Sequence, residues 1–122
     1  MHQRPLSPHL QVYRLPLTAI LSICHRISGF ALFFSLLIFI GWLGTLCCTP
    51  DCYVWSIQQL STIPGQFIIW LSAFAFFYHF SNGLRHMIWD CGYGFDLEAA
   101  NRSSLFVILL TVALTLGLWS IC

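Results

Sequence analysis

Two groups of residues have types and spacings suited to chemistry. The first is Ser22, His25 and Arg26. On a helix, Ser22 and Arg26 are four apart and share a face, with His25 beside them. A hydroxyl, an imidazole and a permanent cation can together donate hydrogen bonds and hold an anion. The trio also reads more plainly, as a snorkelling arginine at a membrane boundary. The second group is His79, Gly83, Arg85, His86 and Asp90. His79, Gly83 and His86 fall at i, i+4 and i+7, on one helical face. His79 precedes Arg85 by six residues, which places it about 9 Å deeper along a helix. An imidazole at that depth needs a partner. Haem iron, bound through Nε2, is one; a hydrogen bond to a neighbouring helix is another. Gly83 would let a flat macrocycle approach the backbone, or let two helices pack closely. The chain has too few deep histidines to ligate haem from both sides, so a second ligand would come from another subunit.

The scaffold follows from composition. Of 122 residues, 58% are hydrophobic and only 7% charged, against about 25% charged in a soluble domain. Mean hydropathy is +0.80. Arg4, Arg14, Arg26, Arg85 and Arg102 face Asp51, Asp90, Asp96 and Glu98, and lysine is absent. So few charges cannot cover a soluble surface, so most of this surface faces lipid or protein. A net charge of +1 without a concentrated basic patch excludes a nucleic-acid binder.

Three stretches are free of formal charge. Residues 27–46 and 103–122 are each 20 long, and 52–84 is densest over 67–84. Twenty residues rise about 30 Å on a helix, the thickness of a bilayer core. Lipid offers no hydrogen-bond partners, so each stretch must satisfy its own backbone as a helix. The prediction is an all-α integral membrane protein of one domain, 1–122. Its three transmembrane helices run roughly over 17–46, 65–91 and 102–122. Pro16 suits the first turn of the first helix, after a turn-rich lead-in holding Arg4, Pro5 and Pro8. Pro50 and Pro64-Gly65 bracket a first loop. Gly92, Tyr93 and Gly94 break the second helix, and Asn101 suits the N-cap of the third. The Pro-rich start and the long first apolar run do not read as a signal peptide.

Arginine sets the expected orientation. All five arginines fall in the N-terminal segment or around the second loop, and none in the first loop or C-terminus. The positive-inside rule then places the N-terminus inside. Eight of the nine charges lie on that side, with Asp51 alone outside. Trp42, Trp70 and Trp119 fall near outer helix ends, Trp55 in the outer loop and Trp89 near the inner side, as an interfacial belt requires. Cys47, Cys48 and Cys52 share the outer loop. A Cys48–Cys52 or Cys47–Cys52 bridge is open to them, as is a plain role as small apolar fillers. Cys24, Cys91 and Cys122 are too scattered for a metal site. No Cys-x-x-Cys-His, Walker, zinc-protease or nucleophile-elbow pattern occurs.

Residues 4–29, RPLSPHLQVYRLPLTAILSICHRISG, resemble the N-terminal signature of the succinate dehydrogenase cytochrome b556 subunit family. That signature is Arg-Pro-x-Ser-Pro-His-Leu, a Tyr, then Ser-x-x-His-Arg-x-Thr/Ser-Gly. Residues 79–90, HFSNGLRHMIWD, resemble the family's second signature, His-x-x-x-Gly-x-Arg-His followed by Asp. Both occur in order, with the three-helix hydropathy between and after them. Ser28 stands where many members have Thr, and both supply a small hydroxyl.

The resemblance implies a membrane anchor of respiratory complex II, forming half of a shared haem-binding bundle. A second three-helix anchor would supply the other ligand of one haem b. His79 matches the axial haem ligand, and Ser22 and Arg26 match ubiquinone-site residues. His25, Arg26 and His86 match positions near the haem propionates. Asp90 matches the closing acid, part of a polar or proton network. Succinate would be oxidised on a flavoprotein subunit and electrons passed through an iron–sulfur subunit to the quinone, so this chain holds no complete active site alone. Ser22 could then donate to a quinone carbonyl oxygen and relay a proton. Arg26, always protonated, would stabilise the negative charge that develops on the quinone. The implied location is a bacterial or mitochondrial inner membrane. Two other readings fit the residues: a fumarate reductase anchor, and a non-redox membrane assembly protein or small transporter with a buried His–Arg network.

Overall fold

The computed structural model describes residues 14–122. Arg4, Pro5, Pro8 and the first part of the N-terminal signature lie outside the described residues. Among the described residues there are four helices and no strand: α1 (Leu17–Thr45), α2 (Pro50–Ser61), α3 (Ile63–Asp90) and α4 (Leu97–Ile121). Three of them, α1, α3 and α4, are long and apolar enough to cross a membrane. The architecture is the three-crossing, all-α one that the composition demands.

Two boundaries differ from the sequence expectation, and one element was missed. The stretch after Pro50, expected as a loop, is the 12-residue helix α2. Pro50 stands in its first turn, where a missing N–H costs nothing, and Asp51 beside it complements the helix dipole. Pro64-Gly65 likewise opens α3 rather than ending a loop. Thr62 caps that helix, its Oγ1 accepting from the Gly65 N–H at 3.3 Å. The third span starts at Leu97, not near Asn101, which lies exposed inside α4. Glu98 and Arg102 pair at 2.6 Å across that added turn. The break before it is made by Gly92 and Gly94, at φ +87° and +79°, a backbone region that favours glycine. Pro16 is the N-cap of α1 rather than part of its first turn. Its carbonyl accepts from the N–H groups of Ala19 and Ile20 at 3.0 and 3.2 Å.

Helix α3 is the centre of the bundle, packing against α1, α2 and α4, while α1 also meets α4. The interior is polar and small where a soluble core would be large and apolar. Ser28, Ser56, Ser81, Asn82, Arg85, Ser104 and Thr111 are buried, whereas Phe30, Phe67 and Leu109 are among many large apolar side chains left exposed. Lipid removes the hydrophobic drive between helices, so small residues that permit close approach line the contacts. Ser104 and Thr111 satisfy their hydroxyls on the carbonyls four residues back, at 2.7 and 2.8 Å. Tyr78 ties α3 to α1, its hydroxyl donating to the Leu21 carbonyl at 2.7 Å. At the opposite end Trp70 and Trp119 meet at 6.1 Å between ring centroids. The described cysteines are all free and exposed, so neither Cys47 nor Cys48 is bridged to Cys52. Cys52 instead accepts a hydrogen bond from the Thr49 hydroxyl at 3.3 Å.

Candidate functional site

The three membrane histidines converge where the early turns of α1 cross the late turns of α3. His25 and His79 stack with ring centroids 4.0 Å apart and planes 11° from parallel. His86 joins them, 5.2 Å from His25. Antiparallel α1 and α3 produce this meeting: residue 25 is early in one helix, and 79 and 86 are late in the other. The i, i+4, i+7 face of α3 then presents both of its histidines to α1.

His79 is held by its Nδ1. That atom lies 3.2 Å from the His25 carbonyl oxygen and 3.1 Å from Ser28 Oγ. A carbonyl can only accept, so Nδ1 carries the proton. Ser28 fits this assignment, because its own proton goes to the same His25 carbonyl at 2.8 Å. Nε2 is thereby the unprotonated nitrogen, with its lone pair available to a metal. Gly29 makes the close approach possible. A Cβ at Gly29 would stand 2.9 Å from His79 Cε1, tighter than real side chains allow. At Gly83 a Cβ would meet only His25 Cε1, at an ordinary 3.8 Å. Within this chain, therefore, Gly29 is the glycine that the imidazole requires.

His25 Nδ1 is buried and has no hydrogen-bond partner among the described residues. A buried unpaired nitrogen beside a stacked pair is a position that a polar ligand group would satisfy. No group of three His, Cys, Asp or Glu among the described residues is arranged to hold a bare metal ion. The cluster thus offers one oriented imidazole ligand and polar neighbours, not a cage.

Ser22 is half-buried and Arg26 exposed on α1, one turn apart as their spacing requires. Asp90 is exposed at the end of α3. Ser28 and Gly29 were legible only as part of a signature. Nothing in their spacing from His79, fifty residues on, tells that they touch it.

Over residues 1–118 the chain matches the model of the succinate dehydrogenase/fumarate reductase transmembrane subunit family. The chain belongs to that family. It is 42% identical over 111 residues to the succinate dehydrogenase cytochrome b556 subunit of Paracoccus denitrificans, covering 91% of this chain and 85% of that one. It is 38% identical over 118 residues to the corresponding Rickettsia felis subunit, covering 97% and 92%. The mitochondrial cytochrome b560 subunit of Sus scrofa is 35% identical over 120 residues, covering 94% of this chain and 69% of the other. With its three spans, the chain is a membrane-anchor subunit of the succinate dehydrogenase kind, crossing an inner membrane several times. It is accordingly part of an oxidoreductase complex.

Proposed function

We propose that this chain supplies one axial ligand, His79, to a haem b shared with a second membrane subunit, and builds part of a ubiquinone-reduction site from Ser22 and Arg26. The observation that carries the reading is the state of His79: Nδ1–H is fixed on the His25 carbonyl, and Nε2 keeps its lone pair. An imidazole so oriented fits a haem iron, and the unpaired His25 Nδ1 beside it fits a polar edge group such as a propionate. The cytochrome b names of the relatives support the same group. When bound, the haem would supply a one-electron carrier near the quinone.

The chain's own residues then divide the work. His79 would bind the iron, with Ser28 and the His25 carbonyl holding its tautomer. His25, His86 and Arg26 would meet the propionates; Arg26 is exposed and free to turn toward an anion. Ser22 would donate a hydrogen bond to a quinone carbonyl and pass on a proton. Arg26 cannot serve as the acid, since a guanidinium keeps its proton. It would stabilise the developing negative charge. Asp90, exposed at the end of α3, would belong to a polar route for protons. The arginine distribution supports an N-terminus on the inner side, where an iron–sulfur subunit would deliver electrons from a flavoprotein. The whole chain, 1–122, would act as one anchor domain, with no dicarboxylate site of its own.

The test is His79→Ala in the assembled complex. The reduced-minus-oxidised spectrum should lose or alter its b-type band while the complex still assembles. An unaltered band would reject the ligand assignment, and a wild-type complex without any such band would reject the haem.

A further inference from the structure

A second polar group lies on the other side of α3, in the cleft shared with α4. The cleft encloses about 320 Å³ and is lined by Ser81, Arg85, Trp89, Phe106, Val107 and Leu110, among others. Arg85 is only 4% exposed. Its guanidinium carbon sits 4.1 Å over the centre of the Trp89 ring, and Nη1 donates to Asn82 Oδ1 at 3.2 Å. Its Nε is buried without an acceptor, and so are Ser81 Oγ and Asn82 Nδ2 without partners, among the described residues. Ser81 and Asn82 are 3% and 0% exposed. Two unpaired polar groups thus stand beside one buried cation whose own Nε is also unpaired.

No carboxylate of this chain neutralises it. Glu98 is taken by Arg102 at 2.6 Å. Asp90 and Asp96 are exposed and form no ion pair among the described residues. Asp51 is on α2, at the opposite end of α3. Residues 1–13 contain neither Asp nor Glu. Burying an uncompensated charge is strongly unfavourable, so the anion must come from outside the chain.

We propose that the α3–α4 cleft binds one anionic phospholipid, its phosphate on Arg85 and Ser81 and an acyl chain along Phe106, Val107 and Leu110. The guanidinium fork matches two phosphate oxygens. The apolar wall continues past the charge, since Leu110 lies seven residues beyond Ser103 in the lining, about 10 Å along α4. That shape suits a headgroup with a hydrocarbon tail. Arg85 lies within two turns of the end of α3 at Asp90, near the membrane boundary where lipid phosphates reside, so a lipid brings its anion to the cleft together with the tail that fills the apolar wall. A net anionic headgroup is required, because a zwitterion brings its own cation and leaves Arg85 uncompensated.

The assembled complex should be placed in nanodiscs of phosphatidylglycerol or of phosphatidylcholine, released, and weighed by native mass spectrometry. The wild type should retain a phosphatidylglycerol molecule and no phosphatidylcholine at matched detergent. Arg85→Gln should lower that retention at least tenfold, with Arg85→Lys intermediate because it keeps charge but loses the fork. Ser81→Ala should lower retention severalfold, and it decides the question if Arg85→Gln fails to assemble. Equal retention of both lipids by the wild type, or equal retention by wild type and Ser81→Ala, would overturn the proposal. So would loss of a protein subunit from Arg85→Gln with lipid retention unchanged, which would give the counter-charge to a partner's carboxylate.

Discussion

Adding one methyl group at Gly29 is the sharpest test of how His79 is positioned. The new Cβ would stand 2.9 Å from His79 Cε1. Ordinary carbon contact is about 3.5 Å, so the ring must retreat from α1 by about 0.6 Å. Both hydrogen-bond partners of Nδ1, Ser28 and the His25 carbonyl, sit on α1 at 3.1 and 3.2 Å. The same retreat lengthens both to about 3.7–3.8 Å, outside hydrogen-bond range. Two such bonds are worth about 1–3 kcal/mol together. Losing the partners that orient a metal-ligating histidine weakens metal binding about 10- to 100-fold. Gly29→Ala should therefore release haem on dilution or detergent exchange at least tenfold more readily, and broaden or shift the b-type absorbance of what remains. Gly41→Ala is the matched control, on the same helix with nothing within 4 Å of a new Cβ. It should leave haem untouched and stabilise α1 by up to about 1 kcal/mol, the helical preference of alanine over glycine. Haem retention, band position and midpoint potential measured on both variants form the assay. If Gly29→Ala matches Gly41→Ala in all three, the close approach of His79 to α1 is not what orients the imidazole.

Three further outcomes follow from the geometry. Arg26→Leu should depress succinate-driven quinone reduction at least tenfold with most haem retained; unchanged turnover with a quinone acceptor would remove Arg26 from that role. Tyr78→Phe removes the α3-to-α1 bond at 2.7 Å, costing about 0.5–1.5 kcal/mol, visible as earlier thermal unfolding in detergent. Glu98→Gln should change that unfolding by no more than about 0.5 kcal/mol, since the Glu98 and Arg102 side chains are 78% and 79% exposed; a larger loss would mean that the added first turn of α4 depends on the pair.

The spans were legible in the sequence because lipid imposes a length and forbids charge, and both are visible one residue at a time. Helix α2 was not. Its Pro50 and the later Pro64-Gly65 read as loop punctuation, yet both prolines occupy helix first turns, where their missing N–H is harmless. A proline alone does not tell whether a helix ends before it or starts with it. The start of α4 was misplaced for a similar reason. Asn101 has the chemistry of a cap, but the chain turns earlier, at Gly92 and Gly94, and the Glu98–Arg102 pair favours helix from Leu97 onward. The cysteines of the first loop left two readings open in sequence, and the fold leaves them free.

By itself the sequence determined the solvent, the number of crossings and the identities of the chemical groups. Hydropathy, charge and helical spacing are local properties. They place Ser22 one turn from Arg26, and His79 on a face with His86, whatever the rest of the chain does. Only the tertiary structure decided what those groups touch. The stacking of His25 on His79, the proton fixed on Nδ1 by Ser28 and the His25 carbonyl, and the closeness that Gly29 permits all arise between α1 and α3, some fifty residues apart. The buried charge of Arg85 arises in the same way, between α3 and α4. Periodicity gives the face of each helix but not the neighbour it meets. The rotation and depth of two packed helices select which hydroxyl, carbonyl or glycine stands opposite an imidazole.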